Sequence, residues 1–214
     1  MTSVTVASAT RSAERVAAYI DGFNLYFGIR EHGRRYLWLD LEGLLQSLLK
    51  PHQQLVAVRY FTARVRNDAP AEQRQQVYLN ALAAHCSLLE VRQGRFQEKS
   101  KTCHSCGYSY KDYEEKESDV SLAVSLVEDG VRGLFDTALI VSADGDMAPG
   151  ICALRRLKPD ARILAAFPPN RRSQRMAELC DVTIPIGLAK VRQAQLPETV
   201  MAGQHPITRP DHWK

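Results

Sequence analysis

Thr137-Ala-Leu-Ile-Val141 runs straight into Ser142-Ala-Asp-Gly-Asp146, so an uninterrupted apolar segment ends in a turn that carries two carboxylates. A short apolar run bounded by turn residues fits a strand buried on both faces, the kind that parallel sheets contain. Val16-Ala-Ala-Tyr-Ile20 has the same character and stops at Asp21-Gly22. Ligands of open α/β sheets bind outside the carboxyl ends of the strands. If these two strands are neighbours, Asp21, Asp144 and Asp146 converge at one edge of the sheet.

Outward from these runs, helix-like and strand-like segments alternate. Residues 23–32 carry Phe23, Tyr26, Phe27 and Ile29 at helical spacing, and Asp40 caps a helix that Pro51 terminates. Residues 55–65 are rich in β-branched and aromatic side chains and read as a strand. Residues 71–86 read as a helix with Val77, Leu79, Leu82 and Ala83 inward, and residues 88–91 as a further strand. Ser118 opens a helix that places Val120, Ala123, Val124 and Val127 on one face. Helices over 149–157 and 173–180 and strands over 161–167 and 182–186 complete the pattern. Buried strands separated by helices give an α/β fold with a mostly parallel sheet.

With 214 residues, 45% of them hydrophobic, the chain suffices for one substantial domain. The expected division is a flexible tail over residues 1–14, the domain over 15–190, a surface insertion or extended hairpin within 93–117, and a loosely held tail over 191–214. No stretch approaches the roughly 20 apolar residues of a membrane span. The small, polar N-terminus has no apolar core of a secretory signal, so a cytoplasmic protein is expected.

The formal net charge is only +4, but arginines come in groups: Arg34 and Arg35, Arg64 and Arg66, Arg92 and Arg95, Arg155 and Arg156, and Arg171, Arg172 and Arg175. Guanidinium forks suit phosphate, so the grouping fits a polyanionic partner, although any single pair reads equally as solvated surface. Five cysteines, an odd number, point to reduced thiols rather than a disulfide framework.

Asp119 adds a fourth carboxylate in the first turn of a helix, where the helix dipole favours its ionised form. Clustered carboxylates raise one another's pKa unless a cation sits among them. Oxygen ligands without histidine or thiolate select Mg²⁺ or Mn²⁺, and such an ion can polarise a phosphodiester and activate a water. Taken singly, Asp21-Gly22 is a turn and Asp119 a helix-start charge. Ser-x-Asp-x-Asp asks for more than turn chemistry, though sugar-nucleotide transferases carry a similar Asp-x-Asp.

Tyr19-Ile-Asp-Gly-Phe-Asn-Leu-Tyr26, Glu115-Lys-Glu-Ser-Asp-Val120 and Ile140-Val-Ser-Ala-Asp-Gly-Asp146 resemble, in order and spacing, the three signature blocks of NYN domains. These are PIN-like nucleases, and the LabA-like branch is nearest in appearance. The resemblance implies a Rossmann-like α/β/α sandwich, a divalent metal and cleavage of RNA. By position, Asp21, Asp119, Asp144 and Asp146 match the acidic metal-binding and catalytic residues, with Asn24 and Ser142 the polar groups beside them. Asn24 would orient Asp21 or touch a phosphate, or be a polar residue on an exposed turn. Ala143 stands where glycine is common and Met147 where an aromatic is common; neither removes a ligand.

The polar segment from Gln93 to Glu117 holds Arg95, Lys99 and Lys101 among Tyr108, Tyr110 and Tyr113, a mixture suited to single-stranded RNA. It also holds Cys103-His-Ser-Cys106, which looks like one knuckle of a zinc ribbon. A full zinc site would need His104, His85, Cys86 or a second chain, and the zinc-free reading is preferred. The leading expectation is a metal-dependent ribonuclease. Alternatives are a non-catalytic RNA- or protein-binding regulator on the same fold, or a DNA nuclease or other phosphohydrolase. A haloacid-dehalogenase-like phosphatase would want Asp-x-Asp after the first strand, where the chain has Asp21-Gly22-Phe23. A homodimer and a regulatory protein partner remain open.

Overall fold

In the computed structural model, which describes residues 13–102 and 105–214, the chain begins with β1 (Glu14–Asp21), whose last six residues are all buried. Asp21 ends the strand and caps α1 (Gly22–Arg30). α2 (Leu41–Gln46) follows, capped by the Asp40 carboxylate on Gly43 N–H, and leads through β2 (Gln53–Ala63) to α3 (Ala69–His85). β3 (Leu89–Thr102) and β4 (Ser109–Lys116) form an antiparallel hairpin, the form expected of the polar segment. Then come α4 (Ser118–Val131), β5 (Thr137–Val141), α5 (Ala148–Leu157), β6 (Arg162–Phe167), α6 (Gln174–Leu179) and β7 (Val182–Pro185). The chain closes with α7 (Leu188–Gln193), β8 (Thr199–Ala202) and β9 (His205–Thr208).

The main sheet has the order β4-β3-β2-β1-β5-β6-β7. Six strands are parallel and β4 lies antiparallel at one edge. β1 and β5 are neighbours, with Ile20 opposite Val141, so Asp21 and Ser142 leave the sheet side by side. Alternate residues of β1 feed two cores. Val16, Ala18 and Ile20 pack with Leu25, Trp38, Leu44 and Leu82; Ala17 and Tyr19 pack with Leu122, Leu126, Ile151 and Met176. The result is an α/β/α sandwich, with α1, α2 and α3 on one face and α4, α5 and α6 on the other.

Several features differ from the sequence reading. The C-terminal segment is not loosely held: β8 and β9 pair, and the last turn buries Trp213 against Trp38 and Tyr78, with ring centroids 6.4 and 5.8 Å away. Its apolar anchors are too widely spaced among prolines to form a periodic pattern. On α4 the face is inverted at two of its four positions: Val120 and Val124 are exposed, Ala123 and Val127 pack part-buried against the core, and Leu122, Ser125, Leu126 and Asp129 are buried. On α1 the buried residues are Gly22, Leu25, Gly28 and Ile29, leaving Tyr26 and Phe27 exposed. On α3, likewise, Ala81 is buried and Ala83 exposed.

The α4 inversion has a polar cause. Tyr19 Oη donates to Asp129 Oδ2 at 3.0 Å, and Arg59 Nε donates to the same oxygen at 3.2 Å. Arg59 also pairs with Glu90, and Arg92 bonds both Glu90 and Ser125. The buried Asp129 carboxylate is therefore paired and hydrogen-bonded, the condition under which a buried charge is tolerated.

Candidate active site

The acidic turn after β5 is tied to the end of β1 by short hydrogen bonds. Asp21 is 8% exposed. Its Oδ1 accepts from Asn24 N–H at 2.9 Å, and its Oδ2 accepts from the Ser142 hydroxyl at 2.9 Å. Ser142 Oγ in turn accepts from Asp144 N–H at 3.0 Å. The Asn24 side-chain oxygen accepts from Ala143 N–H at 3.1 Å, and Asp144 Oδ1 accepts from Asp146 N–H at 2.9 Å. Asn24 therefore acts as a latch between the first helix and the acidic turn, a role its exposed-turn reading would have missed. Ser142, wholly buried, couples the two carboxylates.

Burial pushes the Asp21 carboxyl above its ordinary pKa, and the nearby Asp144 charge adds to the rise. The backbone N–H groups of Asn24 and Phe23 and the Ser142 hydroxyl act in the opposite direction. A carboxylate in this position is held in place yet short of positive charge, which a bound cation would supply.

The four sequence-chosen aspartates differ in setting. Asp21 and Asp144 share Ser142; Asp146 is exposed one turn further on, and Asp119 is exposed in the first turn of α4. Among the described residues, no three His, Cys, Asp or Glu side chains form a group that could hold a metal ion. The donor set nonetheless fits Mg²⁺ or Mn²⁺, because such an ion is commonly held by one or two carboxylates with waters and substrate phosphate.

Close packing sets this corner. A Cβ at Gly22 would lie 2.6 Å from the Phe61 carbonyl oxygen and 2.9 Å from the Tyr60 ring. The first residue of α1 is thereby pressed against β2. A Cβ at Gly28 would meet Pro168 and the Pro169 carbonyl at 2.9 Å. A Cβ at Gly145 would lie 3.6 Å from Arg175 Cδ. Arg175 thus stands beside the acidic turn, where its grouping with Arg171 and Arg172 was the only signal in the sequence.

A cavity of about 310 Å³ opens on the other side of Gly22. The rings of Phe23, Tyr26 and Phe27 line it from α1, Tyr60 from β2, and Tyr78 from α3. In the sequence these α1 aromatics show only helical spacing, which does not say what they face.

Cys103 and His104 lie outside the described residues, as do the side chains of Arg95, Lys99 and Lys101. Cys106 is exposed. Of the other groups considered for zinc, His85 Nε2 sits 3.4 Å from Asp40 and Cys86 Sγ donates to Asp40 at 3.7 Å. None of the helices among the described residues is long and apolar enough to cross a membrane.

The chain is similar to the 6-hydroxy-3-succinoylpyridine 3-monooxygenase of Pseudomonas putida, at 28% identity over 93% of this chain and 75% of that protein. A crystal structure of a Vibrio parahaemolyticus protein of unknown function superposes with a TM-score of 0.52 and 18% identity, covering 84% of this chain and 97% of the other. That likeness supports the α/β fold. The NYN domain profile matches residues 15–187, which contain β1, α4, β5 and every aspartate of the site. The chain belongs to the NYN domain family, a nuclease-like family.

Proposed function

We propose that this protein is a divalent-metal-dependent ribonuclease that hydrolyses phosphodiester bonds of single-stranded RNA at the sheet edge holding Asp21 and Asp144. The observation that carries the reading is the Asp21–Ser142–Asp144 linkage: a buried carboxylate with a raised pKa, fixed from both sides, beside a second carboxylate. Within the family, the LabA-like branch is the nearest in appearance.

Asp21 and Asp144 would hold the ion, with Asp146 and Asp119 reaching it through water or from the substrate side. Bound there, Mg²⁺ or Mn²⁺ would supply Lewis-acid activation of the phosphate and a water of lowered pKa. Ser142 fixes the direction of the Asp21 carboxylate, and Asn24 keeps the acidic turn in register with α1. Arg175, whose side chain passes Gly145, would meet a phosphate oxygen. Arg95, Lys99 and Lys101 on the β3–β4 hairpin would contribute charge along the strand of RNA.

The test is incubation of labelled RNA, and of DNA of the same sequence, with Mn²⁺, Mg²⁺ or EDTA. Metal-dependent cleavage of RNA with DNA spared supports the proposal. Binding without cleavage would assign the fold to RNA capture, and cleavage of both polymers would widen the substrate to nucleic acid in general.

The aromatic cavity beside Gly22 favours a second reading, chemistry on a small aromatic acid, the class that the Pseudomonas putida relative's name states. Oxygen uptake stimulated by hydroxypyridine acids, with RNA left intact, would place this reading first.

A further inference from the structure

The cavity beside Gly22 gathers cationic and aromatic side chains. Arg34 and Arg74 line it together with His212 and Trp213. Neither arginine forms an ion pair among the described residues, whereas Arg15, Arg59, Arg64, Arg132 and Arg155 each have a carboxylate partner. The Nη1 of Arg34 lies 2.6 Å from His212 Nε2. A guanidinium only donates, so the imidazole nitrogen accepts and the ring is neutral in this contact. Burial and the charges of Arg34 and Arg74 hold the His212 pKa below its ordinary value.

One carboxylate, Asp68, also lines the cavity; its Oδ1 accepts the Ala71 N–H at 2.9 Å as the cap of α3. Three guanidiniums, those of Arg30, Arg34 and Arg74, and a histidine thus line the cavity with one capping carboxylate. Opposite stand aromatic rings that their own helix leaves uncovered: Tyr26 is 37% and Phe27 44% exposed. Arg30 lies 5.9 Å from the Tyr26 ring centroid, so that ring already accepts a cation on its face. Exposed rings beside unneutralised cations suit a ligand that is flat and apolar on one part and anionic on another. The volume of about 310 Å³ is at the small end for ligand pockets and suits a single ring with its charged arm.

The geometry points to this cavity as a binding site for a planar aromatic ring that carries an anionic group, the ring against Tyr26 and Trp213 and the anion between Arg34 and Arg74. Such a ligand has two sources: a nucleotide, with base and phosphate, or a free aromatic carboxylate. The inference holds under either reading of the function, because it concerns binding in the cavity beside Gly22 and needs no metal.

It is tested by calorimetric titration of the full chain in EDTA with uridine and adenosine monophosphate, uridine, inorganic phosphate and pyridine-3-carboxylate. Tryptophan fluorescence provides a second readout, and the variants are Arg34→Ala, Arg74→Ala and Tyr26→Ala. Expected is saturable binding of the monophosphates or of the pyridine acid, weakened about tenfold or more by each variant. Uridine and phosphate alone should also bind at least about tenfold more weakly. Tyr26 and Arg34 are exposed, so these variants should melt with the wild type. Binding of only the monophosphates assigns a nucleotide, and binding of only the pyridine acid assigns a free aromatic acid. The inference is overturned if neither class saturates by about 10 mM, if phosphate binds as well as the monophosphates, or if the affinities ignore all three substitutions. Metal-dependent RNA cleavage is measured separately, so a failure here leaves that proposal standing and the reverse also holds.

Discussion

Removing one oxygen atom tests the coupling of the two carboxylates. In Ser142→Ala the buried hydroxyl that donates to Asp21 Oδ2 at 2.9 Å and accepts from Asp144 N–H at 3.0 Å is lost. A hydrogen bond to a charged group contributes about 1.5–3 kcal/mol. No water replaces it readily, because Ser142 is fully buried. For a domain of this size each kcal/mol moves the melting temperature by about 2–4 °C, so the variant should melt about 3–12 °C lower. The lost donation also opposes ionisation of Asp21, whose carboxyl is already held above its ordinary pKa by burial. The pH at which Mn²⁺-dependent cleavage reaches half its maximum should therefore rise. Differential scanning calorimetry and a pH–rate series measure the two effects. A melting temperature within about 1 °C of wild type, together with an unmoved pH profile, would show that Ser142 does not hold Asp21 and would refute the reasoning.

Further outcomes follow from the same contacts. Asp21 has a folded-state pKa above its unfolded value, so the folded state binds this proton more tightly, and the contribution to stability is lost as pH rises through the folded pKa. In EDTA, Asp21→Asn should accordingly melt above wild type at neutral pH, with the gap closing below about pH 4; a pH-independent gap, or a lower melting temperature throughout, would contradict this. The lowered carboxyls Glu14, Glu90, Asp136 and Asp181 are present in both proteins and cancel in the difference. Gly22→Ala forces a Cβ to 2.6 Å from the Phe61 carbonyl and should cost about 1–3 kcal/mol by urea unfolding, whereas an unchanged midpoint would mean that α1 shifts freely. Asp129→Ala strips Tyr19 and Arg59 of their shared acceptor and should cost about 3–5 kcal/mol; a loss under about 1 kcal/mol would mean that the network contributes no more than an exposed ion pair. Trp213→Ala should cost about 3–5 kcal/mol, since the ring is 7% exposed among Trp38 and Tyr78, and a neutral outcome would restore the picture of a loose C-terminal tail.

The strands were legible because their apolar runs are uninterrupted: β1 ends at Asp21, and β5 ends three residues before Asp144. Their adjacency was left conditional, and the sheet order supplies it. The helix faces were read less well, for a physical reason in each case. On α4 a polar network under Ser125 and Asp129 inverts the apolar stripe. On α1 the rings of Tyr26 and Phe27 obey helical spacing yet face the cavity, because glycines at positions 22 and 28 and the side chains of Leu25 and Ile29 suffice to seat the helix. Periodicity reports which residues share a face, and burial depends on what stands opposite. Asn24 was singled out from its place in a motif, but its bond to Ala143 N–H depends on a neighbouring strand more than one hundred residues away. Arg175 and Arg34 were visible only as members of arginine groups, and nothing local showed that they would stand beside Gly145 and His212.

Cleavage by matched preparations of wild type, Asp21→Asn and Asp144→Asn tests the central claim most directly. Labelled single-stranded RNA is incubated with Mn²⁺, and circular dichroism verifies each fold. The account predicts that wild type cleaves and that both folded variants lose at least about a hundredfold in rate, the scale on which a metal-held nucleophile and phosphate contribute to the barrier. Equal cleavage by all three proteins, or none by the metal-loaded wild type, would contradict it.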